Sequence, residues 1–361
     1  MTTAYMPFSF RRVPITQVAL INFKKDPDVQ YHAFEVHLIE VDDQQQFQVL
    51  AWRSDGYKDI YHQPGIIFNE QELELIVGGQ GLGKIIPTEF DMIYFYEEAH
   101  HVRLGFSFDD SEGRAITFQL DEDVRTNPHE LSWIPSIGSQ MKQPKSLPLF
   151  FLYQFDFVRK KKSNVSLIID GNTHQIDPCT FPKMLKSRWN IQYSMNTMAT
   201  IFNESRHTAI QEVAIDEDGI AREGDKEYRY VDVEGHHHLQ SIRLDSPTAP
   251  ITITFDPPFP DKSELLEHKP HFGEFYIEPA GNLGTLKGRY NVTRQKKKAP
   301  ISLTFHESWR PKKDSLYSKL IKGMSNNEVT EWFQSHQCME IVDLEKQEVD
   351  VKWNRVNPNR R

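Results

Sequence analysis

The chain has 361 residues, 38% hydrophobic and 12% aromatic, with a formal net charge of −9. That length exceeds what one ordinary core serves, so two domains are expected. The acidic balance sets aside a dedicated nucleic-acid binder, which needs a basic footprint to neutralise phosphates, and the 23 Phe and 13 Tyr set aside a disordered chain and favour strands.

Cys179 and Cys338 supply neither a disulfide framework nor a zinc spacing, so a reducing, cytoplasmic setting is expected. In the opening MTTAYMPFSFRRVP, Arg11 and Arg12 follow the apolar residues instead of preceding them, so no signal peptide is expected. No run approaches the roughly 20 apolar residues of a membrane span.

In chain order, strand patterns open at 16–25, 31–41, 46–53 and 73–77, the last ending in the Gly-rich stretch 78–84. A hairpin is expected at 91–97 and 101–108, where Val102, Leu104, Phe106 and Phe108 alternate with smaller or polar residues. Ile116, Phe118 and Leu120 continue the alternation. At 121–146 acidic residues give way to repeated prolines, which reads as a linker. The second body opens with 149–158 and the hairpin VSLIIDGNTHQI, in which Asp170-Gly171 is turn chemistry and Pro178 and Pro182 stop the ladder. Eight further strand patterns follow, from 194–202 to 301–306, separated by explicit turns. The tail reads as helix at 314–322 and 325–335, with Ser325 and Glu328 at capping-box spacing, then a last hairpin at 339–342 and 349–353.

The pattern predicts a mostly β protein: two antiparallel β-barrel or sandwich domains, 1–145 and 146–312, and a helical addition at 313–361 with a final short hairpin. Single acids set in apolar strands are candidate general acids, chiefly Glu274 and Glu278 in HFGEFYIEP, with Glu35 a further one. Trp52, Trp189 and Trp309 are candidate ligand-lining anchors. Glu234, His236 and His238 alternate as metal ligands on one strand would, but the Glu234-Gly235 turn predicts a wet hairpin tip, so no metal is expected. The stretch GGQGLGK lacks the Ser or Thr and the following helix of a phosphate loop, and no cofactor is expected. The basic runs 159–162 and 295–298 read as solvated loops.

The hairpin with its Pro-rich sequel to Trp189, together with GTLKGRYNV and PISLTFHESWRP, resembles the tandem lipocalin-like proteins, the double-calycin group of carotenoid hydratases, tocopherol-cyclase-like and AttH-like proteins. The resemblance implies two calycin-type barrels and a hydrophobic small-molecule partner. On that basis the leading expectation is binding, with acid–base conversion by hydration, cyclisation or isomerisation as an extension. A glycan-binding or carbohydrate-active β-protein is the alternative: its aromatics would stack on sugar rings. A protein-interaction scaffold is the third reading. An enclosed apolar cavity would favour the first, and an open groove with exposed aromatics and acids the second.

Overall fold

The computed structural model describes residues 2–41, 44–66, 68, 80–98, 101–123, 129–134, 144–180, 185–281, 283–307, 310 and 333–356. Strands dominate them. The strand expected at 73–77 and the helix at 314–322 lie outside the described residues, as does the start of the helix expected at 325–335. The end of that helix is a 3-10 turn, Phe333–Ser335. The last hairpin is present as His336–Asp343 and Glu348–Arg355.

Two compact units emerge, and both are discontinuous in sequence. One comprises Met1–Val13, Ser132–Phe151 and Thr197–Arg361; the other comprises Pro14–Leu131 and Leu152–Asn196. A linear division at 145 and 312 differs from this, because the long strands Leu147–Arg159 and Arg188–Ile201 each carry the chain from one unit to the other.

In the unit built on residues 14–131, the strands Ile15–Asn22, Tyr31–Val41, Gln44–Arg53 and Tyr57–His62 form an antiparallel meander. Gly81–Pro87 joins it in parallel. A second sheet holds Met92–Glu98, His101–Asp109, Ala115–Glu122 and the hairpin strands Ser163–Ile169 and Asn172–Thr173. The period-2 alternation gives each sheet one apolar face, and the two faces meet. Phe34 lies edge-on to Phe106 at 5.5 Å and Tyr61 meets Phe108 at 4.6 Å. Asp170 and Gly171 both have positive φ, 48° and 75°, as the two-residue turn that matches strand twist requires.

The other unit is organised by a ten-stranded antiparallel sheet running from Ile220–Glu223 through Lys226–Val233, His236–Leu244, Ile251–Phe259, Pro270–Pro279, Leu286–Thr293, Lys298–Phe305, His336–Asp343 and Glu348–Arg355 to His207–Ala209. It curls into a half-barrel. Its inward face is occupied by the chain's own rings: Phe8 meets Phe202, Phe255 and Phe259 at 5.2, 5.4 and 4.9 Å. Phe275 meets Phe202 at 5.1 Å and Phe305 at 5.4 Å. Such pairs add about 0.5–1.5 kcal/mol each beyond the area they bury. The strand Thr2–Met6 pairs with Gln211–Ile215 in a small sheet of its own.

Gly288 marks how tightly this face is filled. A Cβ there would stand 2.1 Å from Cζ of Phe275, and Phe275 is fully buried between other rings. Gly288→Ala should therefore destabilise the protein by about 1–3 kcal/mol through overpacking. Urea unfolding checks this; an unchanged midpoint would show that the face has room.

Candidate functional site

Acids in apolar strands do three different things in this structure. Glu35 and His37 lie two residues apart on one face of the first meander. Trp52 stands on the next strand with Gln48, the partner of His37, and Lys58 lies opposite Trp52. Gln48 donates its amide to Nδ1 of His37 at 2.8 Å, which leaves Nε2–H to donate to Glu35 at 2.8 Å. Trp52 Nε1 donates to the same carboxylate at 3.2 Å. The ammonium of Lys58 lies 3.6 Å from Glu35 and 3.8 Å from the Trp52 ring centre. Burial alone would raise the pKa of Glu35, but the hydrogen bond from His37, the Lys58 ammonium and the Trp52 hydrogen bond outweigh it and hold the group at about 2. A carboxylate held ionised has no proton to give, so Glu35 is a structural counter-ion and not a general acid. Trp52 belongs to this network.

Glu340 does the opposite. It is fully buried on the inward face of the half-barrel. Burial raises its pKa to about 8, against the lowering effect of hydrogen bonds from Asn203 and Cys338.

Glu274 and Glu278 point outward, because Phe275 and Ile277 of the same strand take the inward positions. Glu278 is exposed and accepts a bond from Thr285 Oγ1 at 3.0 Å. Glu274 accepts a 2.7 Å bond from Tyr276, which holds its pKa below the usual carboxylate value. It lines an open groove of about 630 Å³ with Asp256, Phe272, Arg289, Asn291 and Thr304. Asp256, Glu274, Arg289 and Thr304 form one row across four strands.

A second open groove, about 450 Å³, opens beside the five-stranded sheet in the other unit, lined by Tyr94, Gln119, Asp121, Asn164 and Ser166 of its outward face and by Val165 and Trp189, which also pack on the core. Two adjacent rows of cross-strand neighbours on the outward face lead into it. One runs Tyr94, Gly105, Gln119, Ser166; the next runs Tyr96, Arg103, Asp121, Asn164. Gly105 supplies the gap into which Tyr94 lies down: a Cβ at Gly105 would be 2.7 Å from the Tyr94 hydroxyl oxygen. The rings of Tyr94 and Tyr96 are nearly parallel, at 12° and 5.7 Å between centres. Trp189 closes the groove, with the Lys160 ammonium 5.2 Å from its ring centre. The charge is balanced locally, since Arg103 pairs with Asp121 at 3.3 Å.

Of the residues singled out in the sequence, Trp189 and Glu274 therefore line grooves, in different units. Trp309 lies outside the described residues. The histidine tip differs from expectation in one respect. Glu234 and Gly235 do form the turn, with φ of 52° and 84°, but His238 is buried against Glu264, to which its Nε2 is hydrogen-bonded, so not all three imidazoles are wet. His101, Asp121 and Asp123 are close enough to share an ion; however, His101 pairs with Asp123 at 3.1 Å and Asp121 with Arg103.

Tyr94 and Tyr96 were not singled out in the sequence, although their i, i+2 spacing around the inward Phe95 carried the signal. Glu340 was also missed; it follows His336 and Cys338 at the same inward parity. No protein-family model, curated protein or solved structure matches this chain. Among the described residues no helix is long and apolar enough to cross a membrane.

The Glu35 network gives a pH-dependent prediction. Its folded pKa of about 2 lies below the ordinary 4.5, so its contribution is fully present above pH 4.5 and is lost as pH falls toward 2. Glu35→Gln removes that acid limb, worth about 3 kcal/mol, and leaves Lys58 buried without its counter-charge. Urea unfolding at pH 7 and pH 3 should show a large loss at pH 7 that narrows at pH 3. An equal loss at both would contradict the assignment.

Proposed function

We propose that this chain is a glycan-binding β-protein and that the groove lined by Tyr94 and Trp189 takes a neutral oligosaccharide. The observation that carries the reading is that Tyr94, stacked on Tyr96, and Trp189 line one open groove with the amides of Gln119 and Asn164 and the hydroxyls of Ser163 and Ser166. Aromatic faces offer flat apolar area at small entropic cost, and side-chain amides and hydroxyls both donate and accept. Sugar rings present that combination in reverse: apolar C–H faces rimmed by hydroxyls. Arg103 and Asp121 neutralise each other, and the Lys160 ammonium stands over the Trp189 ring as a cation–π partner.

The leading expectation from sequence, an apolar ligand in a barrel or between domains, finds less support. The inward face of the half-barrel is taken up by Phe8 and its ring neighbours. Both grooves described above are open and mixed in polarity, where apolar ligands call for enclosed walls.

The test is a calorimetric titration of the whole chain with neutral cello-, xylo-, malto- and chito-oligosaccharides, repeated on Trp189→Ala, Tyr94→Ala and Gly105→Ala. At least one series should bind the wild type. Loss of one stacking ring costs about 0.5–1.5 kcal/mol on the scale of aromatic contacts, so each Ala variant at a ring should bind up to roughly tenfold weaker; Tyr94→Ala should leave the melting temperature little changed, whereas Trp189→Ala lowers it because Trp189 also packs on the core. Gly105→Ala should weaken binding by displacing Tyr94. Absence of binding by the wild type across the panel would overturn the reading.

A further inference from the structure

Glu340 is an acid in the one place where an acid is hardest to ionise. Its strand places it between Ile301 and Val351, and it is fully buried. The side-chain amide of Asn203 donates to both of its oxygens, at 3.0 and 3.1 Å. The same nitrogen donates to the carbonyl of Pro7 at 2.7 Å, while Asn203 Oδ1 accepts from the backbone of Ser9 at 3.0 Å. Asn203 is itself fixed by Trp353, whose indole N–H donates to its carbonyl at 2.8 Å. It follows Phe202, a bulky residue in the left-handed region at φ 64°, a conformation that persists only where surroundings enforce it. One strained turn thus clamps residues 7–9 across the acid. Tyr5 stands on the same segment, buried, and its hydroxyl has no hydrogen-bond partner among the described residues.

We propose that residues 5–9 form a strap over Glu340, and that loss of the Glu340 proton lifts the strap so that water reaches the carboxylate. The driving force is desolvation: a carboxylate in an apolar interior is costly, and the charged and titratable groups facing this one offer little compensation. Tyr5 and Cys338 face it from two strands, and the buried His336 lies two positions beyond Cys338; Asp261 acts on Tyr5 with the wrong sign, and Lys262 is spent on Glu212 at 2.6 Å. The opening uncovers Phe8 and the ring-lined inward face.

The sign follows from where the proton is held. Closed, Glu340 titrates at about 8; opened to water it returns toward its ordinary 4.5. Opening therefore releases a proton and becomes more favourable as pH rises through that window, close to tenfold per unit, then levels off above about 8.

Amide hydrogen exchange of residues 2–9 in the whole chain, between pH 5.5 and 9 and corrected for intrinsic rates, reads this directly. The expected result is an opening equilibrium that rises by at least a hundredfold and flattens near pH 8, and that is pH-independent in Glu340→Gln. Should that variant fail to fold, loss of the protonated-carboxyl infrared band of the wild type with the same midpoint serves instead. The same slope in Glu340→Gln, a flat wild-type profile, or an infrared band that titrates near 4.5 would each overturn the proposal.

Discussion

A curled sheet has to fill its own inward side, and here the chain does so with its own rings. Phe8 enters from the N-terminal segment and packs on Phe202, Phe255 and Phe259. Phe275 ties Phe202 to Phe305. Glycine stands where a ring must lie flat: Phe275 covers Gly288, and Tyr290 packs on Gly273 with its hydroxyl bonded to the Pro257 carbonyl. Close packing of this kind leaves no slack for an added atom. The groove that Glu274 lines lies on the opposite, outward face of the same sheet.

The same alternation that fills the interior composes those outward faces. On a strand with period 2, each inward Phe fixes its neighbours outward. Phe95 inward sets Tyr94 and Tyr96 outward; Phe275 and Ile277 inward set Glu274, Tyr276 and Glu278 outward. Antiparallel register then lines these up into rows across several strands, so that residues far apart in sequence, such as Tyr94 and Ser166, share one trough. The acids sort by the same rule. Glu35, placed among His37, Trp52 and Lys58, is held ionised, whereas Glu340, placed among apolar neighbours, is held neutral.

Much of this was legible in the sequence, and the failures have physical causes. The mostly β architecture followed from alternation and turn residues, and the Asp170-Gly171 turn from glycine's freedom at positive φ. The joining of Met1–Val13 to the unit that ends the chain was not legible, since pairing of Thr2–Met6 with Gln211–Ile215 is a long-range contact with no local signature. Glu274 and Glu278 stood out as acids in an aromatic strand, yet parity assigns them outward. Glu340 shares the inward parity of Cys338, but the stretch QCMEIVD around it holds no aromatic residue to mark it as chemical. Trp189 stood out as an anchor by its type alone, whereas Tyr94, which lines the same groove, is brought there only by strand register.

The central proposal is that the ring-lined face around Phe8 is closed to ligands and that an oligosaccharide meets this protein from outside. Native mass spectrometry of the whole chain, after incubation with a mixed pool of neutral oligosaccharides and apolar small molecules, tests it most directly. The account predicts an adduct of oligosaccharide mass, and a bare polypeptide mass when only the apolar molecules are offered. A retained apolar adduct at stoichiometric occupancy would contradict it, because the rings around Phe8 would then have to make room.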